Sequence, residues 1–298
     1  MQRKARRKLL KRQQSIWQNK NAWFWFLLPS FLGVSVFVLI PFLDVIRRSF
    51  LTAVTEEWAG LHNYQIIFAN QAFQLAVKNT VRFTLVCLPL LIGSGLFLSV
   101  QLSRLKEMQL IKSLFLFPLA MPAATVVLIW KMFFSRQGFL NGWMVGAGIL
   151  REGQPMDYMG TGIAFWVLVF SYIWKNLGYT MVLWLAGIFS VSADLTEASR
   201  VDGATERQCF WHVIFPNLKG SLYTITILSF LNSFKVFREA YLVAGSYPHE
   251  SMYLLQHLFN NWFVNLELDK MAAAAVCAGT VLFAVILILQ RLWDHEDM

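Results

Sequence analysis

Long apolar runs, each separated from the next by a short polar interval, dominate the chain. A helix needs about 20 predominantly apolar residues to cross a bilayer core. Runs of that kind lie near 22–43, 77–100, 112–134, 161–190, 219–240 and 270–293. The pattern predicts an all-α polytopic membrane protein with six transmembrane helices. These fill the chain and leave no room for a separate soluble core. The connections at 64–73 and 251–263 read as short amphipathic helices along the membrane surface, with Trp143 and Trp262 as interfacial residues. Within the runs, Pro118 and Pro122 stand one turn apart and should bend the third helix. The fifth run carries Ser221, Thr224, Thr226, Ser229, Asn232 and Ser233, a polar density that favours a cavity or other helices over lipid. In the sixth, Ala272 to Ala275, Ala278 and Gly279 permit close helix approach.

One charged island, 191–219, breaks this regime and cannot lie in lipid. Ser192 reads as the cap of a short helix whose first turn carries Asp194, favourable against the helix dipole. Gly203 supplies the left-handed residue that stops that helix. Thr205 followed by Gln208 is a capping-box pattern for a second helix, which Pro216 interrupts. Helix, glycine turn and helix make a compact knob on one membrane face.

Glu197-Ala198-Ser199, Asp202-Gly203-Ala204 and Phe215-Pro216 resemble, at this spacing, the coupling loop of ABC importer permeases. There the pattern is Glu-Ala-Ala, then Asp-Gly-Ala, then Leu-Pro. Ser199 and Phe215 depart from it while keeping size and helicity. Trp58-Ala59-Gly60-Leu61-His62-Asn63-Tyr64 is similar to the segment after the first span of sugar-type permeases, and Ile173-Trp174-Lys175-Asn176 and Asn232-Ser233-Phe234-Lys235 resemble the same subfamily. Residues 22–293 thus resemble a permease subunit of a binding-protein-dependent ABC importer, like those of the maltose-transporter permease family, with the type I importer fold. The resemblance implies a second permease subunit, two ATPase subunits that bind ATP and magnesium, an extracytoplasmic solute-binding protein and a sugar as solute. It implies no cofactor and no enzymatic step on this chain.

Charge settles where the net +9 resides. Eight positive charges, Arg3, Lys4, Arg6, Arg7, Lys8, Lys11, Arg12 and Lys20, fall in residues 1–21 without one acid. A basic tail beside a span reads as a topology signal and a contact with anionic lipid, not as a nucleic-acid site. Arg104, Lys106, Lys112, Arg200, Arg207 and Lys219 mark the same side. Both termini, including the short tail 294–298, and the knob are therefore expected in the cytoplasm of a prokaryotic cell. The first run is too long for a cleaved signal peptide. Cys87, Cys209 and Cys277 are odd in number and scattered, and the histidines are dispersed with surface roles expected, so no metal site is indicated. There is no phosphate loop, no Gly-x-Ser-x-Gly and no His-Glu-x-x-His. Catalytic residues: none.

Two basic residues inside or near the hydrocarbon need explanation. Lys175, midway along the fourth run, would cost about 3 kcal/mol unpaired, which favours a cavity-facing position. Lys235 can snorkel and pair with Glu239 one turn on. In the resembling permeases, solute contacts come from the helices before and after the coupling loop. Ungapped from Glu197 these fall at Tyr172, Lys175, Asn176 and Tyr179, and at Ser229, Asn232 and Ser233. The spacings i, i+3, i+4, i+7 and i, i+3, i+4 each form one helical face; the alternative is that these residues only join helices. The solute stays open among sugars, amino acids, peptides and polyamines. A stand-alone secondary transporter would need intramembrane acids, which these runs essentially lack, and a scaffold would not need the polar fifth run.

Overall fold

The computed structural model describes residues 22–105 and 108–294. The basic tail 1–21, Lys106 and His295 lie outside them. Among the described residues there are helices, turns and one isolated antiparallel bridge, Leu51 to Trp58. Contacts divide the chain into two compact units, one of 22–66 with 267–278, the other of Ile67–Leu266 with 279–294.

In the first unit, α1 (Ala22–Val34) and α2 (Ile40–Arg48) are joined by a π-helical stretch, Ser35–Leu39. Pro41 explains that stretch. It has no N–H to offer the carbonyl four residues back, and the wider turn before it absorbs the defect. Phe26, Phe31 and Phe37 are largely exposed, as a lipid-facing helix requires. Asn63 Nδ2 donates to the carbonyls of Ser49 (3.0 Å) and Leu51 (2.8 Å), and the Tyr64 hydroxyl meets Ser49 Oγ at 2.8 Å. Trp58 stacks on Phe50 at 5.5 Å. The Trp58–Tyr64 signature is therefore a clasp closing the loop after α2.

The expected amphipathic helix 64–73 is two elements, α3 (His62–Ala69) and the start of α4 (Gln71–Leu102), because Asn70 turns extended and caps α4 through Phe73 N. The second unit is built on α4. The prolines do more than bend the next run: α5 (Met108–Ala120) and α6 (Ala123–Phe134) are separate helices, with a 94° change of direction at the break. After α7 (Phe139–Gly146), the long α8 (Ala164–Ser190) returns against α4. Phe83, Cys87 and Leu91 of α4 pack with Phe165, Leu168 and Tyr172 of α8. Across the same contact Ser99 Oγ donates to the Met181 carbonyl at 2.9 Å, and Trp184 Nε1 to that of Ile92 at 3.1 Å. Gly178 lets α5 approach so closely that any Cβ would collide with the Phe115 carbonyl.

The chain then turns by 68° into α9 (Ala193–Val201), followed by α10 (Glu206–Cys209), a π-helical stretch at Phe210–Ile214 and α11 (Phe215–Asn217). Pro216 follows a π turn just as Pro41 does. The run expected as a fifth span, 219–240, is α12 (Lys219–Ser233, 15 residues), a 3-10 turn at Phe234–Val236 and α13 (Phe237–Ala244). Last come α14 (Leu255–Val264) and α15 (Leu268–Asp294), where Ala272, Ala273 and Ala274 are buried as their size anticipates. Among the described residues, three helices are long and apolar enough to cross a membrane, or up to five if each bent pair is one span.

Two surface assignments are overturned. Trp262 is buried and stacks with Phe73 at 6.4 Å. His257 is fully buried between Phe237 and Tyr253. Its Nδ1 accepts from Leu254 N at 3.2 Å, and burial pushes its pKa down to about 4. Trp143 is exposed.

Candidate functional site: a polar cavity and an exposed knob

Helices α8, α12 and α13, with the 3-10 turn between the last two, line a half-open cavity of about 180 Å³. Tyr172, Lys175, Asn176 and Asn232 line it together with Ser171, Lys235 and Glu239, and Leu119 and Val236 supply apolar wall. Four of the seven path positions expected from sequence therefore meet at one place. Ser229 and Ser233 do not border it. They are buried, the Ser229 carbonyl accepting from the Tyr172 hydroxyl at 2.8 Å and Ser233 Oγ donating to the Phe230 carbonyl at 2.7 Å. The first bond joins α8 to the backbone of α12, and the second stays within α12. Tyr179 is half-buried and does not border the cavity either.

The charge arrangement corrects the sequence reading. Glu239 does not pair with Lys235 one turn away. It is buried and forms its ion pair with Lys175, which reaches it from α8. A cation in a helix interior thus finds an anion contributed 64 residues further on. Lys235 instead donates to Asn232 Oδ1 at 2.8 Å. Asn176 Nδ2 donates to the Tyr172 carbonyl at 2.8 Å, fixing the amide's orientation. Helical spacing gives Glu239 to Lys235 and so hides it as a site residue; the signal for it in the sequence is that a mid-span lysine needs an acid somewhere. The group holds ammonium, amide, hydroxyl and carboxylate functions without a nucleophile–base pair. Its chemistry is polar binding.

The knob has the predicted grammar with one exception. Ser192 stands at the cap of α9 but makes no side-chain cap bond. At the other end Gly203 adopts φ +85°, and Ala204 N and Gly203 N donate to the carbonyls of Ser199 (3.0 Å) and Arg200 (3.1 Å), a complete Schellman stop. Thr205 and Gln208 form the reciprocal capping box. Arg200 Nε ties the two helices by donating to Glu206 Oε1 at 3.0 Å. Glu197, Ala198, Asp202 and Gly203 are exposed, Ser199 and Ala204 half-buried. Val201 is 88% exposed and Leu195 50%, apolar side chains that a solvated helix end has no reason to present.

An all-helical multi-pass fold with an internal polar cavity and an exposed helical knob defines a transport permease of the ABC importer type. The chain belongs to the family of binding-protein-dependent transport system inner membrane components, whose model matches residues 92–296. It is 28% identical over 295 residues to the arabinooligosaccharides transport system permease protein AraP of Bacillus subtilis strain 168, covering 94% of this chain and 92% of that protein. It is 27% identical over 284 residues to the probable starch degradation products transport system permease protein AmyD of Thermoanaerobacterium thermosulfurigenes, covering 90% and 92%. In fold it is similar to a chain in the crystal structure of a bacterial ABC transporter involved in import of the acidic polysaccharide alginate. The TM-score is 0.81 at 18% identity, over 97% of this chain and 99% of that one. The type I importer fold expected from the coupling-loop motif is the fold observed.

Proposed function

We propose that this chain forms one half of the translocation path of an ATP-driven carbohydrate importer. A second permease subunit forms the other half, two ATPase subunits bind ATP and magnesium, and a solute-binding protein delivers the sugar from outside. The knob, with Glu197, Ala198, Ser199, Asp202, Gly203, Ala204 and Pro216, docks into a groove on an ATPase subunit; Val201 and Leu195 supply apolar contact. Both termini and the knob face the cytoplasm, as the distribution of Lys and Arg supports, and the basic tail meets anionic lipid. Relatives named for arabinooligosaccharides and starch degradation products support a sugar as solute.

The observation that carries this reading is the convergence of Tyr172, Lys175, Asn176 and Asn232 on one polar cavity, from the helices that precede and follow the knob. Amide and hydroxyl groups held in place suit sugar hydroxyls. The test uses the complex purified through a tag on this chain and reconstituted in liposomes with ATP inside or outside as the orientation requires. Uptake of labelled oligosaccharides should fall at least about tenfold in Asn176→Ala and Asn232→Ala, the loss of one or two polar contacts at about 1.4 kcal/mol per decade. The co-purifying subunits should be unchanged. Wild-type uptake in both variants refutes the path, and loss of the co-purifying subunits assigns the residues to helix joining.

A further inference from the structure

The hydrogen bonds already made inside the cavity divide its remaining capacity into two unlike walls. On α12 and the turn after it, Lys235 Nζ uses one donor on Asn232 Oδ1. A side-chain amide accepts only through its oxygen, so the amide orientation is set and Asn232 keeps its NH₂ as a donor. That wall therefore offers N–H groups from two side chains three residues apart on one helical face. On α8 the opposite holds. Asn176 Nδ2 is spent on the Tyr172 carbonyl, which leaves Asn176 Oδ1 as an acceptor. Lys175 and Glu239 neutralise each other in direct contact. Lys235 is then the one cavity charge with a neutral partner among the lining residues, and it is exposed.

We infer that the cavity takes an acidic sugar, a uronate-type saccharide whose carboxylate sits against the Lys235 and Asn232 donors while its hydroxyls donate to Asn176 on the facing wall. Paired donors match the two oxygens of one carboxylate, and an ammonium makes those bonds charge-assisted. A neutral sugar satisfies the α8 wall equally well but brings no charged partner to the Lys235 ammonium. The inference rests on the cavity being the solute path.

The test supplies the reconstituted complex with labelled oligosaccharides from polygalacturonate, alginate and glucuronoxylan, and with the same pools after reduction of their carboxyls to primary alcohols. Uptake of at least one native pool, at least tenfold above its reduced counterpart, is the expected result. Lys235→Gln should erase that ratio by slowing the acidic pool alone, and Lys235→Arg should restore it, which separates a charge effect from a folding effect. Equal uptake of native and reduced pools, uptake of reduced pools alone, uptake of neither, or a ratio untouched by Lys235→Gln overturns the inference. The two readings fail separately. If Asn176→Ala abolishes uptake of a neutral pool, the path stands and the acidic preference falls; if Asn176→Ala and Asn232→Ala transport every pool normally, the path itself falls.

Discussion

The cavity and the knob share α8, which lines one with its middle and leads into the other at its end, yet they are held by different physics. In the cavity the decisive contacts join residues far apart in the chain, Tyr172 with Ser229 and Lys175 with Glu239. The first is buried and the second partly so, and removing one partner strands the other in a site of reduced dielectric. In the knob the contacts are short-range: a capping box spanning three residues, a Schellman stop, and an Arg200–Glu206 bond six residues apart. A longer-range ion pair of the knob, Arg104 with Glu206 at 3.9 Å, is solvent-exposed and worth little. The cavity thus depends on the whole packing, whereas the knob carries its own fold.

The contrast can be broken most severely at Glu239. Glu239→Ala leaves the half-buried Lys175 uncompensated and should destabilise the protein by about 2–3 kcal/mol, below the full cost of a buried pair because Lys175 keeps some solvent, read as a lowered melting temperature in detergent. Lys175→Met combined with Glu239→Leu should recover most of that stability without recovering uptake. If single and double variants melt alike, the pair does not hold α8 to α13.

His257 extends the comparison to a third buried polar group. Its folded pKa of about 4 lies below its ordinary 6.5, so between those values the unfolded chain binds the proton first. Stability should be complete above pH 6.5 and decline as pH falls toward 4. His257→Gln should flatten that decline in melting temperature over the same window. An unaltered pH profile would remove the histidine from the account.

Substitutions in the knob should have small effects on stability and large ones on function. Gly203→Asp forces a side chain into the left-handed region at about 1 kcal/mol, and open space surrounds the position. The melt should barely move while uptake is lost and ATP hydrolysis continues, because the carboxylate intrudes on the docked face. Full uptake by that variant would rule out the docking role. The smallest effect is expected of Thr205→Ala, which removes the capping box for about 1 kcal/mol and should lower uptake modestly, with Thr205→Ser restoring it. A Thr205→Ala melt as damaged as that of Glu239→Ala would erase the distinction between the two regions.

The same distinction explains what could be read from the chain. Gly203, Thr205, Gln208 and Pro216 announced the knob because caps and helix stops act within a few residues, and the backbone observed there follows them. The apolar runs announced an all-helical membrane protein because a bilayer imposes one length and one polarity on whatever crosses it. Pro118 and Pro122 marked the place where the third run fails, although not that it separates into two helices at 94°. What sequence alone could not determine was which side chains face each other. Lys235 and Glu239 have the spacing of a helical pair, but the 3-10 turn at Phe234–Val236 and the approach of α8 give Glu239 to Lys175. Ser229 and Ser233 share a face with Asn232 by periodicity, yet packing buries both away from the cavity, with the Ser229 carbonyl taken by Tyr172 and the Ser233 hydroxyl turned back onto its own helix. Trp262 and His257 have the composition of a surface helix and are buried, because α14 lies against α4 and α13. Local hydrogen bonds and the polarity of the solvent are written in consecutive residues; partner choice across helices depends on their mutual approach, which exists only once the chain has packed.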